Sequence, residues 1–377
     1  MPQPVTVVIL APALPPGAGV LGTLLDDART ALGERHAAAF AAAGAGQVVV
    51  HREPADAAPF GARLRRVVAL HGSGGLVLLG AGAMPLATVR DRRTFVEAAA
   101  GDEPAALANN AYSADAIAVA CAGNALRDVP EDLPTDNALP RWLAEVAGVP
   151  VHDLATRRDL AFDIDSPLDL LLLAAGAGTG PDAAGNAPGP GLTPVPAHAD
   201  AEPVRARLAA LRGLAQDVGA ELLLAGRVNG DDLRAVERGS RARTRAVIEE
   251  RGLRTAMLAT TRGRPNRRPP RSLLAHLLEQ AGPARLGELV ADHADGALLD
   301  TRVLMAARAG ADESAWPPPE DRYASDLLLP DRVADPWLRA LTASAASAPI
   351  PILLGAHTLV GPGAALALGL PREADAG

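Results

Sequence analysis

Three short apolar runs, residues 5–10, 47–51 and 76–79, are separated by stretches of helical length at 21–43 and 59–70. The runs are rich in Val and Leu and too short to be helices, the signature of strands covered on both faces. Helical spacing returns at 88–100. Strands alternating with helices in this way close as a parallel sheet with crossover helices, so the first half of the chain reads as α/β. Ligands on such sheets gather beyond the carboxyl ends of the strands. That rule directs attention to the loop at the end of each run. After the first comes Ala-Pro-Ala-Leu-Pro-Pro-Gly-Ala-Gly at 11–19, with Gly17 and Gly19, and after the third a turn at 80–86 containing Gly80 and Gly82.

Further strands are expected at 116–120, 149–154 and 160–164, with a helix at 138–147. Asn109, Asn110 and Asp115 precede one of these strands, and Asn137 opens the helix. Asn favours turns before strands, and its amide also suits the edge of a base or sugar. The most distinctive string is Phe-Asp-Ile-Asp-Ser-Pro-Leu-Asp-Leu at 162–170. Ser166 suits a helix N-cap, Pro167 the first helical position and Asp169 the first turn. Asp163 and Asp165 stand just before that helix. Alternate residues of a strand share a face, so both carboxylates point one way and call for a cation or donors between them.

Composition removes other classes. The net charge of −8 and an aromatic content of 2% argue against nucleic acid as a partner. No apolar run reaches the roughly 18 residues of a membrane span, and the first residues lack the basic start of a secretory signal. One cysteine, Cys121, excludes an internal disulfide and a multi-cysteine zinc site. A cytoplasmic location is expected. All 36 basic residues are arginine, so neither a Walker lysine nor a Schiff-base lysine is available.

The order of segments over residues 1–175 resembles the nucleotidyltransferase superfamily that includes molybdenum-cofactor guanylyltransferases and 2-phospho-lactate guanylyltransferases. The likeness is carried by the first strand and its loop, by residues 76–86, and above all by 162–170, which is similar to the closing Asp-x-Asp-Thr-Pro-x-Asp-Leu motif of that family. It implies a Rossmann-like domain of the nucleotide-diphospho-sugar transferase type. It also implies transfer of a nucleotidyl group from a nucleoside triphosphate to a small phosphorylated metabolite or cofactor precursor. Mg²⁺ or Mn²⁺ would be held by Asp163 and Asp165, with Asp115 as a third acid, and Gly17, Gly19, Gly80, Gly82, Asn109, Asn110 and Asn137 would face the nucleotide. The chain departs from the family twice. The loop at 11–19 has no cation where the family carries Arg and Lys, and Ala83 and Met84 stand where the family has an acid. Proline also lacks the N–H that such loops offer to phosphate. The alternative is a catalytically degenerate nucleotide-binding, regulatory or scaffold protein of the same fold; a glycosyltransferase is a third reading, since related folds serve both chemistries.

Residues 176–203 are rich in Gly, Pro and Ala and read as a flexible linker. Beyond it, 204–377 is expected to form a smaller α/β or mostly helical domain. Its segment 227–271 holds thirteen arginines and five acids. A long helix is expected at 231–251, with Arg234, Arg238, Arg241 and Arg245 on one face. Such a face is either solvated or a source of the phosphate-binding cations that the first loop lacks. Arg243, Arg254 and Arg271 adjoin apolar residues or loops and are the individual candidates. His357 follows a strand expected at 350–354 and lies within a glycine-rich turn at 355–363.

Overall fold

The computed structural model describes residues 3–53, 58–176, 201–250 and 270–371. It is a mixed α/β protein with two sheets, one of six strands and one of four. The chain divides into two compact units. Among the described residues, the first unit comprises 3–17, 26–53 and 58–164, and the second comprises 18–25, 165–176, 201–250 and 270–371. No helix among the described residues is long and apolar enough to cross a membrane.

The first sheet is built from β1 (Val5–Pro12), β2 (Gln47–Glu53), β3 (Gly75–Gly80), β4 (Ala106–Ala108), β5 (Ala116–Val119) and β6 (Val151–Asp153). Its order is β2-β1-β3-β5-β4-β6. β1 lies inside the edge strand β2 and is parallel to both neighbours, with Val8 opposite Val49 on one side and Leu78 on the other. β5 runs antiparallel to β3 and β4. Alternation along β1 explains its apolar composition. Val5, Val7 and Ile9 enter one core with Phe40 and Phe95, while Val8 enters the opposite core with Phe60, Leu64 and Leu76. A strand covered on both faces cannot alternate with polar residues.

The helix Val89–Ala99 starts where the chain places a capping box: the Thr88 hydroxyl accepts from the Asp91 N–H, and the Asp91 carboxylate accepts from the Thr88 N–H. The strand expected at 160–164 is instead a turn at Arg158–Ala161 followed by one antiparallel bridge between Asp163 and Ala83. Helix initiation at Pro167 leaves no length for a longer ladder.

The second sheet is wholly parallel. It comprises β7 (Glu221–Gly226), β8 (Arg243–Ile248), β9 (Gly296–Asp300) and β10 (Ile352–Gly355), in the order β10-β9-β7-β8. The unit is therefore α/β rather than mostly helical. The long helix expected at 231–251 does not form. A helix covers Gly230–Gly239, Ser240 ends it, and the chain extends into β8 beside β7. Thr244, Val247 and Ile248 are β-branched, and tertiary pairing with β7 outweighs the helical spacing of the arginines. The four-arginine face dissolves with the helix. At the carboxy-terminal side, the turn expected at 355–363 contains two short helices, His357–Val360 and Pro362–Ala367.

Candidate functional site

A cleft of about 220 Å³ opens in the first unit at the carboxyl ends of β1 and β3. Leu10, Pro12 and residues 78–83 form its floor, and Phe60 and Leu139 form apolar walls. Five charged side chains line it: Arg29, Arg63, Asp115, Asp136 and Asp163. Concavity with a few convergent polar groups is the general form of a small-ligand site.

Four of these charges have a clear structural reason for their position. Asp163 is delivered by the bridge to Ala83, reinforced by the Met84 N–H donating to the Phe162 carbonyl at 3.1 Å and the Ile164 N–H donating to the Gly82 carbonyl at 3.0 Å. Arg29 reaches across from its helix, and its Nε donates to the Ile164 carbonyl at 2.8 Å. Gly82 permits this convergence. A Cβ there would lie 2.9 Å from Asp163 Oδ1, 3.0 Å from the Ile164 carbonyl oxygen and 3.2 Å from Arg29 Nε. Arg63 lies one helical turn after Phe60, with its guanidinium 5.9 Å from the ring centre. Asp115 is tied by Asn109, whose Oδ1 accepts from the Asp115 N–H at 3.0 Å and whose Nδ2 donates to the Leu160 carbonyl at 2.9 Å.

The turn after β3 is anchored from below. His36 is fully buried, and its Nε2 lies 2.8 Å from the Ala83 carbonyl. Only a donor can serve that carbonyl, so Nε2 carries the proton, and Arg92 donates to Nδ1 at 3.4 Å. Burial, helped by the Arg92 charge, pushes His36 down to about 3, which keeps the ring neutral. Arg35 donates to the Pro85 carbonyl from the same helix. Two residues of one helix thus fix the segment that carries Gly82.

The sequence-derived candidates divide sharply. Asp115, Asp163, Gly80 and Gly82 line the cleft. Asn109 is a buried bracket whose amide serves backbone groups and, at 3.4 Å, the Asp115 carboxylate. Asn110 closes a local turn by accepting from the Tyr112 N–H at 2.8 Å. Asn137 is buried beside Asp136, and neither of its amide atoms has a hydrogen-bond partner among the described residues. Gly17 adopts φ +80° in an exposed loop.

The remaining candidates belong elsewhere. Asp165, Gly19, Arg243, Arg271 and His357 lie in the second unit, and Arg254 lies outside the described residues. The Asp165 N–H and the Ser166 N–H both donate to Asp169 Oδ2, at 2.9 and 2.7 Å. The cap of the helix Pro167–Gly176 is therefore Asp169 reaching back, while the Ser166 hydroxyl makes no hydrogen bond among the described residues. Arg243 is exposed on edge strand β8, 2.5 Å from Glu221, which Arg245 also pairs at 2.5 Å. At Gly19 a Cβ would fall 2.2 Å from Glu320 Cδ. The Glu320 carboxylate accepts from the N–H groups of Leu21 and Gly22 at 3.0 and 3.1 Å. These are the donors that a helix start otherwise offers to phosphate.

Arg29 and Arg63 carry no site motif in the sequence, whereas Asp136, beside Asn137 at a helix start, is placed there to face a ligand and lines the cleft. Arg63 carried a weak signal, its spacing from Phe60 on an amphipathic helix; Arg29 sits in an Ala- and Leu-rich helix and carried none. No family model, curated protein or solved structure matches this chain.

Proposed function

We propose that the first unit is a nucleotidyltransferase-like, nucleotide-binding module that acts on a nucleoside triphosphate and a small phosphorylated metabolite. One observation carries this reading: Arg29 and Arg63 share a strand-end cleft with Asp115, Asp136 and Asp163. Phosphoryl chemistry asks a protein mainly for positioning and charge neutralisation, and a cleft holding both signs of charge supplies both. The cations come from two helices of the same unit, not from the loop at 11–19. A second hollow of about 300 Å³ shares Arg29 and Ala81 with the cleft and adds Arg52. A nucleoside would occupy the first space, with its phosphates directed past Arg29 toward Arg52.

The donor set suits Mg²⁺ or Mn²⁺ as substrate-bridging ions. Among the described residues no group of three or more His, Cys, Asp or Glu side chains is placed to hold a metal alone. Mg²⁺, however, commonly takes one or two carboxylates and completes its shell with water and phosphate oxygens. Asp163 and Asp115 would supply those carboxylates; Asp165 is not among the lining residues. When bound, the ion would neutralise charge on the phosphates. Arg29 and Arg63 would orient the phosphates, and the walls at Phe60 and Leu139 would exclude water.

A binding role without transfer is the second reading. It is favoured by the proline-rich loop and by the carboxylate already seated on the Leu21 and Gly22 N–H groups. Isothermal titration of the full chain with each nucleoside triphosphate plus Mg²⁺ tests the common core. Saturable binding that Arg63→Ala and Asp163→Asn each weaken at least tenfold is expected. Absence of binding by a folded chain rejects both readings. Pyrophosphate release with phosphorylated acceptors then separates transfer from binding alone.

A further inference from the structure

The second unit holds a larger groove, about 910 Å³, between the helices Leu273–Ala281 and Thr301–Ala309 and the loop before Pro319. The chain has only three tryptophans, and two of them, Trp316 and Trp337, line this one groove. Trp316 is a fixed wall: it is 7% exposed and its indole N–H donates to the Gly310 carbonyl at 2.8 Å. Trp337 is half-buried, and the Arg308 guanidinium lies 5.2 Å from its ring centre. A guanidinium stacked on a ring loses less freedom when it takes a second partner.

The charges of the groove are unequally committed. Of its acids, Asp335 caps the helix Pro336–Ser347 by accepting from the Leu338 N–H at 2.7 Å, and Glu279 is exposed, 3.9 Å from His276. Its arginines differ. Arg234 and Arg285, exposed arginines of the same unit, pair with Asp231 and Glu288. Arg271 and Arg308 line the groove, and among the described residues neither has an ion pair. Trp337 offers ring surface beside the Trp316 wall, and the two guanidinium groups offer forks for an oxyanion.

We propose that this groove is a second ligand site, specific for a planar aromatic or heteroaromatic compound that carries a phosphate or carboxylate. The ring packs against Trp337 and Trp316, and the anion is taken by Arg308 and Arg271. The site is separate from the cleft of the first unit and does not rest on the function proposed for it.

The test uses phenyl phosphate as the probe, with phenol and inorganic phosphate as its parts and benzoate as its carboxylate counterpart. Binding to the full chain is followed by tryptophan fluorescence and isothermal titration. Phenyl phosphate should bind saturably, at least tenfold tighter than phenol or phosphate. Arg308→Ala and Trp337→Leu should each weaken it fivefold or more, while Asp163→Asn leaves it unchanged. Benzoate rivalling phenyl phosphate assigns the anion as carboxylate; benzoate much weaker assigns it as phosphate. Arg308 is exposed, so its variant is expected to keep the wild-type melting temperature, which circular dichroism checks even if the Trp337 variant misfolds. Phosphate alone binding as tightly as phenyl phosphate, or equal binding by Arg308→Ala, overturns the proposal. So does saturation by proline-rich peptides but by no aromatic acid, which would make the groove a peptide-docking surface.

Discussion

Replacing Gly82 by Ala would test whether the cleft depends on the close approach of three groups. Gly82 does not adopt a positive φ, so alanine meets no backbone penalty there. The cost is crowding alone. The new Cβ would sit 2.9 Å from Asp163 Oδ1, 3.0 Å from the Ile164 carbonyl oxygen and 3.2 Å from Arg29 Nε. The carboxylate can rotate away, but the carbonyl is backbone, and it is held by the bridge and by Arg29. Overpacking of this kind costs about 1–3 kcal/mol. At roughly 2–4 °C per kcal/mol for a domain of this size, the melting temperature should fall by about 2–12 °C. Gly80 is the internal control, since it lines the same cleft but a Cβ there meets nothing nearer than Ala83 Cβ at 4.0 Å. Calorimetric melting and nucleotide titration should therefore show Gly82→Ala losing stability and affinity together, with Gly80→Ala keeping its stability. If Gly82→Ala melts and binds like the wild type, the convergence of Asp163 and Arg29 is not what shapes the site.

Other consequences can be checked independently. Arg302 grips Asp326 with two bonds of 2.6 and 2.7 Å, with side chains 8% and 0% exposed; Arg302→Ala should cost about 3–5 kcal/mol in urea unfolding, whereas Arg302→Met with Asp326→Leu should come close to neutral. Burial, then the nearby Asp165 charge, pushes Asp169 from 3.8 up to about 8. A raised carboxyl binds its proton more tightly in the folded state, so this contribution to stability is complete below about pH 4 and is lost as the pH climbs toward 8. Asp169→Asn should flatten that decline, and unfolding curves of the two proteins that stay parallel from pH 5 to 8.5 would contradict it. Arg243→Ala removes one exposed partner of Glu221; it should cost under about 1 kcal/mol and leave nucleotide affinity unchanged by calorimetry.

The strands of the first sheet were legible because burial on both faces forces runs such as Val5–Pro12 to be apolar throughout. The short β4 was not, because three residues of Ala-Leu-Ala carry no period. Arg-rich β8 misled for a different reason. Arginines at 234, 238, 241 and 245 match a helical face, yet an edge strand tolerates outward arginines just as well. Asp163 was found through its motif, but its partners Arg29 and Arg63 come from distant helices. Only the folded register of Gly82 against Asp163 brings them together. Asp165 shows the converse, since sharing a strand face in sequence with Asp163 did not keep it among the cleft residues once the chain turned into a helix.

The helix Pro167–Gly176 has Leu168 and Leu170 to Leu173 all buried, and Gly176 is pressed against Leu366, where a Cβ would lie 2.5 Å from Leu366 Cδ2. Arg212 seals its end by donating to the carbonyls of Ala175 and Leu366 at 2.8 and 2.9 Å. A gene truncated after residue 175 would therefore end in a leucine-faced helix stripped of its lining. Such a fragment should aggregate, or recruit a copy of itself, before its cleft could be assayed. Covalent order and spatial order part company at this helix, and dissection of the protein has to follow the second.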